Sequence, residues 1–132
     1  MTTIRRLFSM LHITLPWPPS TNHYWMPIPG CHGMTRTKRA REYKKLAHDE
    51  LDKVLGRRPE EPLMTVPVRL EIELRAPDRR SRDMDNSLKA LQDVLTSYNV
   101  WRDDSQIDEL IVRRGAIISG GQAIIMITEL TT

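Results

Sequence analysis

From Val66 to Ala76 apolar and other residues alternate: Val66, Val68, Leu70, Ile72, Leu74 and Ala76 against Pro67, Arg69, Glu71, Glu73 and Arg75. A period of two is that of a strand with one buried face, and Pro77 ends it. Two other stretches carry the helical period. Tyr43, Leu46, Ala47, Leu51, Val54 and Leu55 predict a helix from about Thr37 to Leu55, with Gly56 as its stop. Leu88, Leu91, Val94, Leu95 and Tyr98 predict a second from about Asn86 to Tyr98, capped by Asp85 or Asn86. Leu11–Leu15 reads as a short strand halted by Pro16, Pro18 and Pro19, which supply no ladder donor. Leu110–Ile118 and Ala123–Leu130 are apolar and β-branched, and Ser119-Gly120-Gly121 between them predicts a hairpin turn. Residues 20–36 read as a loop or irregular hairpin, and 57–65 as a connector. The order β, loop, α, β, α, β, β predicts an α+β domain: a small mixed sheet of about four to five strands with two main helices packed on it.

The length of 132 residues fits one domain with a real core. With 39% hydrophobic and 28% charged residues, the chain is too apolar for a disordered tail and too polar for a membrane protein. No apolar run approaches the ~18 residues of a membrane-spanning helix. The N-terminus has Arg5 and Arg6 but no clean apolar block or cleavage site, so it does not read as a signal peptide. Cys31 is the single cysteine, so no intrachain disulfide forms and a reducing cytoplasm is the simplest home.

A net charge of +3 says little until it is mapped. Residues 36–58 hold nine bases against four acids, and 69–82 hold five arginines against three acids. Residues 83–109 reverse this, with seven acids against Lys89 and Arg102. An acidic block bordered by arginines suits a cation site set in a surface for an anionic polymer, although ordinary solvated surface would look the same.

Within that block Asp83 and Asp85 are two apart just past a strand, so in extended chain they point to the same side. Two such carboxylates repel unless a cation sits between them or one is protonated. Mg²⁺ takes hard oxygen ligands, commonly one or two carboxylates plus substrate phosphate. Lys89 lies four residues after Asp85, on the same face if the helix starts near Asn86. Asp103 and Asp104 follow the second helix, and adjacent residues of extended chain point opposite ways, so one of the pair is expected to enter a site. This set suits metal-assisted phosphodiester hydrolysis. The plainer alternative is a helix cap at Asp85, an exposed Lys89–Asp93 ion pair and a turn at Asp103-Asp104.

These residues resemble the RusA family of Holliday junction resolvases, small Mg²⁺-dependent endonucleases of bacteria and their phages. The resemblance rests on Arg82-Asp83-Met84-Asp85-Asn86, then Lys89 and Asp93, then Trp101-Arg102-Asp103-Asp104-Ser105-Gln106-Ile107. It extends to Leu15-Pro16-Trp17-Pro18-Pro19-Ser20-Thr21-Asn22 and to Thr128-Glu129, roughly residues 11–130. Residues 1–10 then form an N-terminal extension and 11–132 a RusA-like endonuclease domain. The resemblance implies that Asp83, Asp85 and Asp104 are the metal-binding catalytic carboxylates and Lys89 the catalytic lysine. Asn86 and Asp103 fall on supporting positions. It also implies a homodimer that nicks four-way DNA junctions symmetrically, and a C2 dimer supplies the two equivalent sites such a junction needs. No small-molecule cofactor is expected. Met26–Met34 follows no family pattern.

Two rivals share these residues: a metal-dependent nuclease for flaps or forks, and a non-catalytic nucleic-acid-binding protein. Arg75, Arg79, Arg80 and Arg82 are candidate phosphate contacts, which confer affinity and salt dependence without sequence information. The outer face of helix 1 (Arg41, Lys44, Lys45, His48) either extends that surface or is merely solvated. Trp17, Tyr24, Trp25 and Trp101 are candidates for stacking on unpaired bases, or else core residues. His23, Cys31 and His32 match no zinc-finger spacing.

Overall fold

The alternation at 66–76 becomes β4 (Val68–Arg75), with Val68, Leu70, Ile72 and Leu74 buried and the residues between them half-buried. The computed structural model describes residues 10–130. Around β4 lies a four-stranded mixed sheet with β1 (Met10–Pro16), β5 (Ile107–Arg114) and β6 (Gln122–Glu129), in the order β1-β6-β4-β5. β6 runs antiparallel to both neighbours, whereas β5 runs parallel to β4. A two-stranded hairpin of β2 (Trp25–Pro27) and β3 (Met34–Arg36) stands apart from the sheet. The α+β class, the two helices and the mixed sheet are as the sequence predicts. Of the N-terminal extension expected over 1–10, only Met10 is described, and it pairs with Thr128 in the sheet.

Leu11, Ile13 and Leu15 of β1 and Ala123, Ile125 and Ile127 of β6 join the buried residues of β4 in one core. Helix α1 (Lys38–Leu55) adds Ala40, Tyr43, Ala47 and Leu51, and α2 (Leu88–Ser97) adds Ala90, Leu91, Val94 and Leu95. Thr37 caps α1 by accepting from the Ala40 N–H, and Gly56 ends it at φ +89°, a left-handed geometry that costs glycine little. Tyr43 donates to the Pro16 carbonyl at 2.7 Å, tying α1 to the end of β1. Leu46 and Val54, at helical spacing with the core residues, are exposed. No described helix is long and apolar enough to cross a membrane.

The predicted β5–β6 hairpin does not form, because β4 lies between the two strands. Gly120 and Gly121 do adopt positive φ, at +82° and +70°. Their turn, however, closes a connection that passes over the end of β4. The Gly115 N–H donates to Leu74 and the Ile118 N–H to Ala76. Ile117 and Ile118 therefore fall outside the strand and are exposed. β5 starts earlier than predicted and is an edge strand, leaving Leu110 and Ile111 exposed.

Neither Asp85 nor Asn86 caps α2. A 3₁₀ turn over Met84–Ser87 precedes the helix, with Asp83 at its N-cap position and Ser87 at that of α2, and neither makes a side-chain capping bond. The extra turn places Asp85 inside a helical segment rather than at its mouth.

Candidate metal and nucleic-acid site

The strand-to-helix passage from Arg75 to Leu88 is built around Arg82. Its Nη1 meets Asp78 Oδ1 at 2.8 Å, and its guanidinium carbon lies 5.7 Å from the centre of the Trp17 ring. Arg114, at the end of β5, donates to the Arg82 carbonyl at 2.7 Å. Asp78 is held below the usual carboxylate range by its hydrogen bond from Arg82, helped by the Arg80 N–H. Arg82 is thus a pinned residue of the loop, and its outward neighbours Arg79 and Arg80 are exposed. Arg75 is half-buried and paired with Glu73 at 2.7 Å, so its charge is partly spent inside the protein.

Asp83 and Asp85 are exposed. Asp83 lines a cavity of about 320 Å³ together with Trp17, Arg79, Arg80, Arg82 and Arg114. A second cavity adds Ser20 and Asn86, so Asn86 lies beside Asp83 as its motif position suggests. Thr21 donates to the Asn86 carbonyl at 3.0 Å, fastening the segment after β1 to the 3₁₀ turn.

Lys89 is on the first turn of α2, with its ammonium 3.4 Å from Asp93 Oδ1. The ion pair anticipated as the plainer reading therefore exists, but Asp93 serves more than one partner. Tyr24, buried on the hairpin side, donates to Asp93 Oδ2 at 2.6 Å, and Arg36 stands 3.7 Å from the same oxygen. Burial, reinforced by the Asp93 carboxylate, pushes the Tyr24 hydroxyl up to about 12. Arg36 lies 5.6 Å over the Trp25 ring. Asp93 therefore anchors the β2–β3 hairpin to the helix that carries Lys89. Sequence spacing showed Lys89–Asp93 but gave no sign of Tyr24 and Arg36, which arrive from 69 and 57 positions away.

Asp103 and Asp104 part company, as adjacent residues should. Asp103 caps a 3₁₀ turn over Asp104–Gln106: its carboxylate accepts the Ser105 N–H at 3.0 Å, and the Ser105 hydroxyl, then that N–H, lower its pKa. Gln106 completes a capping box through the Arg102 and Asp103 N–H groups, and its amide donates to the Met64 and Val66 carbonyls. Asp103 and Gln106 together fix where Asp104, half-buried, is held.

Asp104 stands where β4 and β5 begin, since Ile107 pairs with Val68. Asp83 shares its cavity with Leu74 and Arg114, where the two strands finish. The eight residues of β4 separate those ends by roughly 23 Å at about 3.3 Å per step. Asp83 and Asp85 are both exposed at the 3₁₀ turn before α2, and Asp104 is not with them. Among the described residues no group of three His, Cys, Asp or Glu is gathered to hold one metal ion, the His23–Cys31–His32 region included. The donors at Asp83 and Asp85 are nonetheless hard oxygens facing solvent, the chemistry a Mg²⁺-like cation prefers.

Of the aromatic candidates, Trp101 is fully buried with its indole N–H bonded to Thr96, and Tyr24 is buried against Asp93. Trp17 and Trp25 retain accessible surface. Arg114 and Asp78 were not anticipated as site residues. The Asp78–Arg82 spacing of four was visible in the sequence, whereas Arg114 reaches the loop only through the parallel β4–β5 pairing.

A family profile described as Endodeoxyribonuclease RusA matches residues 16–128. The chain is 36% identical over 119 residues to a protein of Enterobacteria phage 82 named crossover junction endodeoxyribonuclease rusA, covering 90% of this chain and 94% of that one. Proteins of the same name from Shigella sonnei (strain Ss046) and Escherichia coli (strain K12) are 36% identical over 118 residues, 89% of this chain and 93% of theirs.

Proposed function

The chain belongs to the RusA endodeoxyribonuclease family, and on that premise we propose that it resolves Holliday junctions by paired symmetric nicks in DNA recombination and repair. The observation that carries the reading is the cavity in which Asp83 sits among Arg79, Arg80, Arg82 and Arg114: an exposed carboxylate for a cation beside cations for a phosphate backbone. Asp83, Asp85 and Asp104 are the residues that would hold Mg²⁺, which when bound would polarise the scissile phosphate and lower the pKa of a bound water. Lys89 places its ammonium on the phosphate or leaving oxygen, and Asp93 fixes the side of α2 from which it reaches. Arg79 and Arg80 contact backbone phosphates, while Arg82 chiefly shapes the loop that presents them. Asn86 supports the loop and Asp103 positions Asp104.

The enzyme is a homodimer. Because the register sets Asp104 at the far end of the strands from Asp83, a two-fold copy that brings the partner's Asp104 to Asp83 and Asp85 completes each site. Two complete sites, facing a two-fold substrate, give two symmetric cuts. The working compartment is the cytoplasm of a bacterium, whether the gene is chromosomal or phage-borne.

Cleavage of a labelled synthetic four-way junction, compared with a linear duplex of the same sequence, with Mg²⁺ and with EDTA, tests this. Paired nicks in the junction alone, with metal alone, are expected. Equal cutting of both substrates would point to a general nuclease, and binding without cutting to a non-catalytic protein.

A further inference from the structure

Trp17 lies at the centre of three adjoining cavities of about 320, 250 and 480 Å³, which together make a groove from the end of β4 to the outer face of α1. Arg80 and Arg82 border all three. The first cavity has an apolar interior made by Trp17, Leu74, Ala76 and Ile117, and it opens beside Asp83. Its volume is at the small end of pockets that take a single small molecule. The Trp17 side chain leaves the backbone against the Gly121 turn, where an added Cβ would meet Trp17 Cβ at 2.9 Å, and the Arg82 guanidinium carbon lies 5.7 Å over its ring. Phosphate contacts need only charge. A flat aromatic wall with an aliphatic floor, edged by guanidinium groups, has the composition that stacks an unpaired base.

We propose that this cavity is a nucleobase subsite: one base next to the scissile phosphate leaves its stack and seats against Trp17, over Leu74 and Ile117. Base pairs flanking a branch point are cheaper to open than those within a duplex, so the subsite selects branched DNA at the point of cutting. The seated base also fixes the phosphate attached to it relative to Asp83. The inference rests on the junction-resolvase reading and names the part of the substrate that site reads.

The test is a binding cycle in EDTA, where no cutting occurs. Fluorescence anisotropy gives Kd for the protein and for Trp17→Ala on an intact four-way junction. The same two proteins are then measured on junctions carrying an abasic nucleotide on either side of the mapped scissile phosphate. Trp17→Ala is expected to weaken binding of the intact junction about tenfold or more, the scale of one base–aromatic stack. At one of the two positions the abasic junction is expected to abolish that penalty. An equal penalty on all junctions, or none on any, would overturn the subsite. If Trp17→Ala does not fold, Ile117→Trp replaces it, because Ile117 is half exposed and a larger side chain there fills the cavity without entering the core. It should weaken the intact junction and spare the abasic one. A wild-type protein that does not prefer junction over duplex would instead sink the junction-resolvase reading itself.

Discussion

Replacing Asp93 by alanine removes one carboxylate and leaves three partners behind. Tyr24, 3% exposed, loses the acceptor it holds at 2.6 Å. A hydrogen bond to a charged group is worth about 1.5–3 kcal/mol, and a buried donor left unpaired costs about 1–3 kcal/mol. Lys89 and Arg36 are 44% and 41% exposed, so each of those pairs adds no more than about 1 kcal/mol. The sum expected for Asp93→Ala is about 2–4 kcal/mol. Tyr24→Phe removes the hydroxyl but leaves Asp93 with its two cations, and about 1–2 kcal/mol follows. Denaturant unfolding of both variants and of the double variant gives the coupling directly. If one hydrogen bond dominates, the double variant loses scarcely more than Asp93→Ala, and the coupling is about 1–2 kcal/mol. Additive losses, with coupling under about 0.5 kcal/mol, would show that the hairpin is held by something other than this carboxylate. The pH dependence has a definite sign. The folded pKa of Tyr24 is about 12 against an ordinary 10.0, so its contribution is complete below pH 10 and is lost as pH rises through 12. Tyr24→Phe should flatten that alkaline limb.

Asp85→Asn and Asp104→Asn should each fold and each fail to cut. Co-expressed, they should recover activity, because a heterodimer with sites shared between protomers retains one intact site. Random mixing predicts about a quarter of the wild-type sites, each nicking one strand; an inactive mixture would place all three carboxylates within one chain. Arg79→Ala with Arg80→Ala should weaken junction binding and reduce the slope of log Kd against log salt by about 2, whereas an unchanged slope would remove them from the phosphate contacts. His48, on α1, is held below 6.5 by burial and then by Lys44 and Arg58, against Asp52. Its Nε2 lies 2.8 Å from Ser97 Oγ; because burial favours the neutral ring in the fold, the stability it confers is complete above pH 6.5 and falls as the solution is acidified, and His48→Gln should flatten that acid limb in thermal unfolding.

Much of the fold was legible because local pattern carried it. The alternation at Val68–Leu74 and the Thr37 and Gly56 punctuation of α1 are properties of a few neighbouring residues. The sheet order was not, since nothing near Ser119-Gly120-Gly121 records that β4 occupies the place between β5 and β6. The turn geometry was right and the pairing was wrong. The division of labour at Asp103-Asp104 was partly legible from alternation, but the assignment of the cap to Asp103 needed Gln106 reaching Met64 and Val66. The separation of Asp104 from Asp83 follows from parallel pairing, which local pattern does not encode.

The position of β6 between β1 and β4 also orders the events of synthesis. Both flanking strands leave the ribosome before it, each with an apolar face and an unsatisfied backbone edge. Until residue 129 has cleared the exit tunnel, the nascent chain carries two helices with no complete sheet to cover. Completion of β6 rather than early collapse then sets the moment at which a stable sheet first exists, and premature termination anywhere within 122–129 should leave a substrate for proteases instead of a shortened enzyme.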